Sequence, residues 1–274
     1  MNKRKTSSEL KKMAKEQLLG NYGVAAGSFA IIYAMIAVLI TVITQISMKL
    51  IINEGYLNNA QSLAALAKSP MYYVTAYVIS AIAGALTNTL VVGFLNICLK
   101  IARGQKCAVS DLFYCYKRNP DKVIILYLIM YAVGVVLILP SEFISIYMSD
   151  RMSGAVILLW AVLYVIAMVL SMLFSLMAAL AFFLYIDDPQ MNTLDYIKKS
   201  IVLMSGNKGR LFYIMVSMLG WILAVIFSLG IAAFWAMPYM AVVYSLFYRD
   251  VIGEMKEESK IYYVKKEGQT IEGV

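Results

Sequence analysis

Six stretches of the chain, Gly23–Ser47, Met71–Leu99, Val123–Leu139, Ser153–Ile186, Leu211–Ser228 and Ile231–Tyr248, contain no Asp, Glu, Lys or Arg. A helix that crosses a bilayer needs about 20 mainly apolar residues, because the hydrocarbon core is about 30 Å thick and each helical residue rises about 1.5 Å. All six reach or approach that length. Composition agrees, with 62% hydrophobic and 15% charged residues against roughly 45–50% and about 25% in soluble domains. The expected fold is an all-α polytopic membrane protein of six transmembrane helices in three hairpins, with short cytoplasmic interfacial helices.

Lys and Arg set the orientation, since the cytoplasmic flanks of spanning helices carry the excess of them. With the N-terminus inside, 21 of the 24 basic residues face the cytoplasm and only Lys49, Lys68 and Arg151 lie outside. Both termini are then cytoplasmic. Three parts follow: a basic amphipathic helix at 1–22, a membrane domain at 23–248 and a charged tail at 249–274. The first apolar run follows a long basic segment and exceeds a signal h-region, so it is expected to stay as an anchor. A pI near 9.2 raises nucleic acid as a partner, but orientation and anionic headgroups account for the charge. The expected partners are membrane lipids, chiefly anionic headgroups at the cytoplasmic face, and a membrane or cytoplasmic protein; nucleic acid is not among them.

Thr6-Ser7-Ser8-Glu9 has the capping-box pattern, and Leu10, Met13, Ala14 and Leu18 then fall on one helical face opposite Lys11, Lys12, Lys15 and Glu16. Such a helix is expected to lie flat in the inner interface. A second copy precedes the fifth apolar stretch, with Leu194, Ile197, Ile201 and Met204 on one face. Both copies end in one signature, Gly20-Asn21-Tyr22-Gly23 and Gly206-Asn207-Lys208-Gly209. A third and weaker copy runs from Ser110-Asp111 to Asn119-Pro120 without the glycines.

The second signature, followed by Arg210, invites a phosphate-loop reading. That loop needs GxxxxGK[ST] after a strand, whereas here the glycines are three apart, a helix precedes them and no Ser or Thr follows Lys208. Gly20, Asn21, Gly206, Asn207, Lys208, Gly209 and Arg210 are therefore read as helix-stopping hinges at headgroup depth, with a specific lipid-phosphate site as the alternative.

Catalysis finds little support. The chain has no histidine, and the adjacent aspartate pair, Asp187-Asp188, precedes proline as turns do. Cys98, Cys107 and Cys115 match neither a redox pair nor a zinc cluster. No enzyme activity, cofactor, metal or catalytic residue is expected. Within the apolar stretches, Ser80, Gly84, Asn88 and Asn96 form a polar stripe that Gln45 could partner, read as helix packing or, alternatively, as the wall of a neutral polar cavity. Gly230 and Pro238 are the expected helix bends.

The run from Asp187 to Tyr248 resembles a bacterial membrane family known as domain of unknown function 975. The resemblance is carried by Asp188-Pro189, Ser200, Met204, Gly206-Asn207-Lys208, Phe212, Gly220-Trp221, Gly230-Ile231, Trp235, Pro238-Tyr239 and Tyr248, and earlier by Gly20-Asn21, Gly93 and Ser110-Asp111-Leu112-Phe113. It implies a bacterial plasma membrane and no particular activity. Relatives usually carry an Ile-Pro-Gly-Ile break in the fourth span. This chain has neither Pro nor Gly between Trp160 and Tyr185, which leaves one apolar segment longer than the bilayer core, to be met by a strong tilt, by protrusion or by a break that no Pro or Gly marks. The expected role is a non-enzymatic accessory, scaffold or lipid-interacting envelope protein; the alternative is a small-molecule or lipid transporter.

Overall fold

A computed structural model describes residues 4–53, 69–148 and 153–255, and among them the only regular elements are helices. In chain order these are α1 (Ser7–Leu18), α2 (Tyr22–Asn53), α3 (Pro70–Ala102), two short 3-10 turns (Val109–Phe113 and Cys115–Lys117), α4 (Pro120–Tyr147), α5 (Gly154–Ala178), α6 (Ala181–Asp187), α7 (Thr193–Met204), α8 (Lys208–Val216), α9 (Leu219–Phe227) and α10 (Ala233–Ile252). Among the described residues, five stretches are long and apolar enough to cross a membrane: Tyr22–Gln45, Pro70–Ala102, Pro120–Tyr147, Gly154–Asp187 and Lys208–Phe227. The third apolar stretch runs past Pro140 and stays helical to Tyr147.

The sixth, Ile231–Tyr248, is not one of the five. Its helix α10 is mixed in polarity and carries Arg249 and Asp250. It is also buried by protein: Ala236, Val242, Val243, Leu246 and Phe247 have no exposed surface. The opposite holds for Gly154–Asp187, where only 6% of the most apolar window is buried. Apolar surface turned outward on that scale is compatible with a helix that faces lipid.

The chain divides into two compact units, one of residues 31–91 and 115–175 and one of 1–30, 92–114 and 176–274. The first holds most of α2, α3, α4 and α5. There Tyr127 lies so close to Gly84 that a Cβ would come 1.8 Å from its hydroxyl, and Tyr131 Oη meets Ser80 Oγ at 2.6 Å. Small and hydroxyl residues thus let two helices close on each other.

The second unit is a helical platform. The α1 capping box forms, with Thr6 N donating to Glu9 at 2.6 Å and Glu9 N to Thr6 Oγ1 at 3.3 Å. Its apolar face, expected against lipid, is instead covered by protein, since Leu10, Ala14 and Leu18 are buried and α1 packs along α10. In α7 the buried face is Tyr196, Ile197, Ser200 and Met204, while Leu194 stays exposed. Buried Leu10, Ala14 and Leu18 correspond one for one, 186 positions later, to buried Tyr196, Ser200 and Met204.

The fourth apolar segment does break, at Ala179–Leu180, without Pro or Gly. Ser200 Oγ accepts from Leu180 N at 3.1 Å and donates to Met177 O at 2.8 Å, while Tyr244 Oη donates to Ala179 O. A side chain on α7 thereby replaces the hydrogen bonds that the break removes. α5 has 25 residues, about 37 Å at the helical rise and enough for the core alone. The seven residues of α6 belong to the platform, where Phe183 and Tyr185 are fully buried.

Candidate functional site

The two hinge signatures have the same geometry. α1 ends at Leu19 (φ −59°, ψ 122°) and α7 at Ser205 (φ −61°, ψ 121°). Gly20 and Gly206 follow in the left-handed region at φ 86° and 76°, a conformation glycine reaches without steric cost. Asn21 Nδ2 then donates to Gln17 O at 3.2 Å, and Asn207 Nδ2 to Leu203 O at 2.8 Å. In the weaker third copy Asn119 itself is left-handed, at φ 39°.

Beyond the hinge, Arg210 is tied inward. Its Nη2 donates to Asp250 Oδ2 at 2.6 Å and to Lys5 O at 2.6 Å, and the guanidinium lies 5.3 Å from the Phe247 ring centre. Buried Asn207 uses Oδ1 to accept from Arg4 and, at 3.5 Å, from Arg210. It stands in the cap position of α8 yet caps no amide of that helix. Lys208 is half-buried and makes no ion pair among the described residues.

These groups surround a cavity of about 460 Å³ lined by Arg4, Lys5, Thr6, Ser7, Gly209 and Arg210, with Tyr213 and Ile214 on its apolar side. Three cations, two hydroxyls and the uncapped first turn of α8 are the elements of an anion site. An apolar flank suits the remainder of an amphiphile. No Cβ at Gly209 would meet anything within 4 Å.

A second charged cluster locks the unit. Arg103, just past α3, binds Asp187 through two bonds of 2.7 and 3.1 Å and Glu254 at 2.8 Å. Arg249 Nε reaches Glu254 at 2.8 Å, Arg249 Nη1 donates to Ala102 O, and Tyr248 Oη donates to Asp187 at 2.6 Å. Asp187 therefore serves as an ion-pair partner, and Asp188 accepts from Gln190 N at 3.1 Å in a turn. Sequence reasoning missed this cluster. Its traces were Asp187, read from the sequence as a turn residue, and Arg249, a charge directly after an apolar run.

Burial opposes ionisation of Glu254, but the bonds and charges of Arg103 and Arg249 together outweigh it and hold the carboxyl below its usual range. The stabilisation is then complete above the ordinary carboxylate pKa and disappears as pH falls through the lower, folded value. Thermal melts between about pH 7 and about pH 4 should show an acid limb that flattens in Glu254→Gln, which is also less stable at neutral pH. An unchanged limb would assign acid sensitivity elsewhere.

The polar stripe is not gathered into one site. Ser80 is used by Tyr131, Asn88 Nδ2 donates to Gly84 O of its own helix at 3.2 Å, and Gln45 is exposed. Asn96, in the platform unit, is buried with Nδ2 unpartnered, as is Ser28 Oγ. Gly230 is left-handed at φ 92° between α9 and α10, and Pro238 lies inside α10.

Positions that carry the family resemblance meet in space. A Cβ at Gly93 would come 1.8 Å from Leu112 O, the Trp221 and Tyr239 rings are 5.6 Å apart, and Ser200 and Tyr248 make the bonds described above. A family model described as "Protein of unknown function (DUF975)" matches residues 1–255. The chain belongs to this family. No curated protein and no solved structure matches the chain. For this DUF975 member, the resemblance therefore supplies a set of packing contacts and no activity.

Proposed function

We propose that this DUF975 protein is a non-enzymatic scaffold of the bacterial plasma membrane, oriented with both termini in the cytoplasm, whose platform seats on anionic phospholipid headgroups and binds a membrane or cytoplasmic protein partner. The observation that carries the reading is the cavity between α1 and α8, which joins Arg4, Lys5 and Arg210 to an uncapped helix start and an apolar flank. A phosphodiester would take the cationic side and its acyl chains the exposed flank at Tyr213 and Val216. The 21-to-3 charge bias supports the orientation.

The test is lipid retention. Protein drawn from nanodiscs of phosphatidylcholine with phosphatidylglycerol should keep a phosphatidylglycerol molecule in native mass spectrometry. Arg4→Gln with Lys5→Gln should weaken that retention about tenfold or more, at about 1 kcal/mol per cation. Gly209→Met, which fills the cavity and leaves charge unchanged, should weaken it too. Equal retention by all three proteins would sink the proposal.

The transporter reading is favoured by one observation, the unpartnered polar atoms of Asn96 and Ser28. Buried polar atoms without a partner also suit a buried water.

A further inference from the structure

We infer that residues 218–234 form a re-entrant hairpin whose apolar tip is inserted into the bilayer core and turns back before reaching the far side. Both ends of this segment are pinned to α1 or the residue that follows its hinge. At one end Lys11 Nζ donates to Ser217 O at 3.0 Å, and Ser7 Oγ lies 3.4 Å from Ser217 Oγ. At the other, Tyr22 Oη donates to Trp235 O at 2.7 Å. α1 cannot lie in hydrocarbon, because Lys12, Lys15 and Glu16 are exposed along it and ionised side chains are costly there. Ser217 and Trp235 are therefore held at the depth of the charged interface, on the same side.

The 17 residues between them supply two arms of about eight, each about 12 Å long, against a core of about 30 Å. That length reaches towards mid-membrane and no further. The ring of Phe29, two turns into α2, touches both Phe94 and Phe234 at 5.9 Å, which places the start of α10 just inside the apolar zone.

The tip is built for a medium without water. Every amide from Ser228 to Trp235 donates within the hairpin: Ser228 N to Ala224 O, Leu229 N to Ile226 O, Gly230 N to Val225 O, Ile231 N to Ser228 O and Ala232 N to Ser228 Oγ among them. A loop in water needs no such saturation, whereas backbone in lipid does. Phe227, Leu229 and Ile231 are 84%, 94% and 63% exposed, and no Asp, Glu, Lys or Arg occurs between Arg210 and Arg249. Leu229 also holds a left-handed φ of 52°, where Gly or Asn would be less strained. A leucine there is sensible if its side chain partitions into hydrocarbon.

The experiment is thiol labelling in intact cells with a membrane-impermeant maleimide, using the unmodified protein as background. Ser69→Cys, in the first outer loop of the orientation proposed above, serves as control; if it is not labelled, that orientation fails irrespective of the hairpin. Leu229→Cys should remain unlabelled in intact cells and in inside-out vesicles, and react fully once the membrane is dissolved in denaturing detergent. Labelling of Leu229→Cys from outside to the same extent as Ser69→Cys would overturn the hairpin. Leu229→Lys separates lipid from protein as the cover: in hydrocarbon it lowers the melting temperature by several degrees and reduces the membrane-inserted yield. An unchanged melting temperature and yield would also overturn the inference.

Discussion

Ser200→Ala is expected to cost about 2–4 kcal/mol, because it strands one buried and one partly buried backbone group, each worth about 1–3 kcal/mol when unpaired. The hydroxyl is both the acceptor for Leu180 N at 3.1 Å and the donor to Met177 O at 2.8 Å. Neither group has a helical partner at the break, and Ser200 and Leu180 are fully buried. Ser245→Ala is the matched control. Ser245 is equally buried, but its hydroxyl only doubles onto Ala241 O at 2.9 Å within its own helix. That change should cost about 1 kcal/mol or less. Thermal melts in one detergent compare the two, and similar losses would show that the break does not depend on Ser200.

Gly93→Ala should be comparably damaging, at about 3 kcal/mol. The added methyl would meet Leu112 backbone atoms at 1.8, 2.6 and 3.0 Å, so the 3-10 turn Val109–Phe113 must leave α3. The Lys100–Asp111 bridge of 2.7 Å spans that contact and would stretch with it. At Gly84 the obstacle is the hydroxyl end of Tyr127, which can swing aside, so Gly84→Ala should cost less. Gly209→Ala meets nothing and should be neutral or gain up to about 1 kcal/mol from helix propensity. Melting temperatures ordered Gly93→Ala lowest, then Gly84→Ala, then Gly209→Ala would match these contacts; any other order would not.

Local signals in the sequence were read well. The capping box at Thr6, the duplicated Gly-Asn stop and the long apolar helices are each set by residues within a turn or two of one another. What escaped was decided by distant neighbours. The break in the fourth apolar segment depends on Ser200 and Tyr244, about twenty and sixty-five positions away, so no Pro or Gly announces it. The apolar face of α1 has the periodicity of a lipid-facing helix, and nothing local distinguishes lipid from α10 as its cover. Arg210 looked like a free headgroup ligand, yet its main partner, Asp250, lies forty residues on. Tyr248, a position of family resemblance, is explained only when Asp187 is seen at its hydroxyl.

As the proposed scaffold, the protein would hold lipid and a partner without moving solutes or lipids across the membrane. The direct measurement is made on purified protein in liposomes, following the efflux of entrapped small solutes and the scrambling of fluorescent phosphatidylglycerol. Rates equal to those of protein-free liposomes are predicted. A saturable, protein-dependent flux, above all one lost in Asn96→Leu, would contradict the scaffold and make the unpartnered Asn96 the first residue of a transport path.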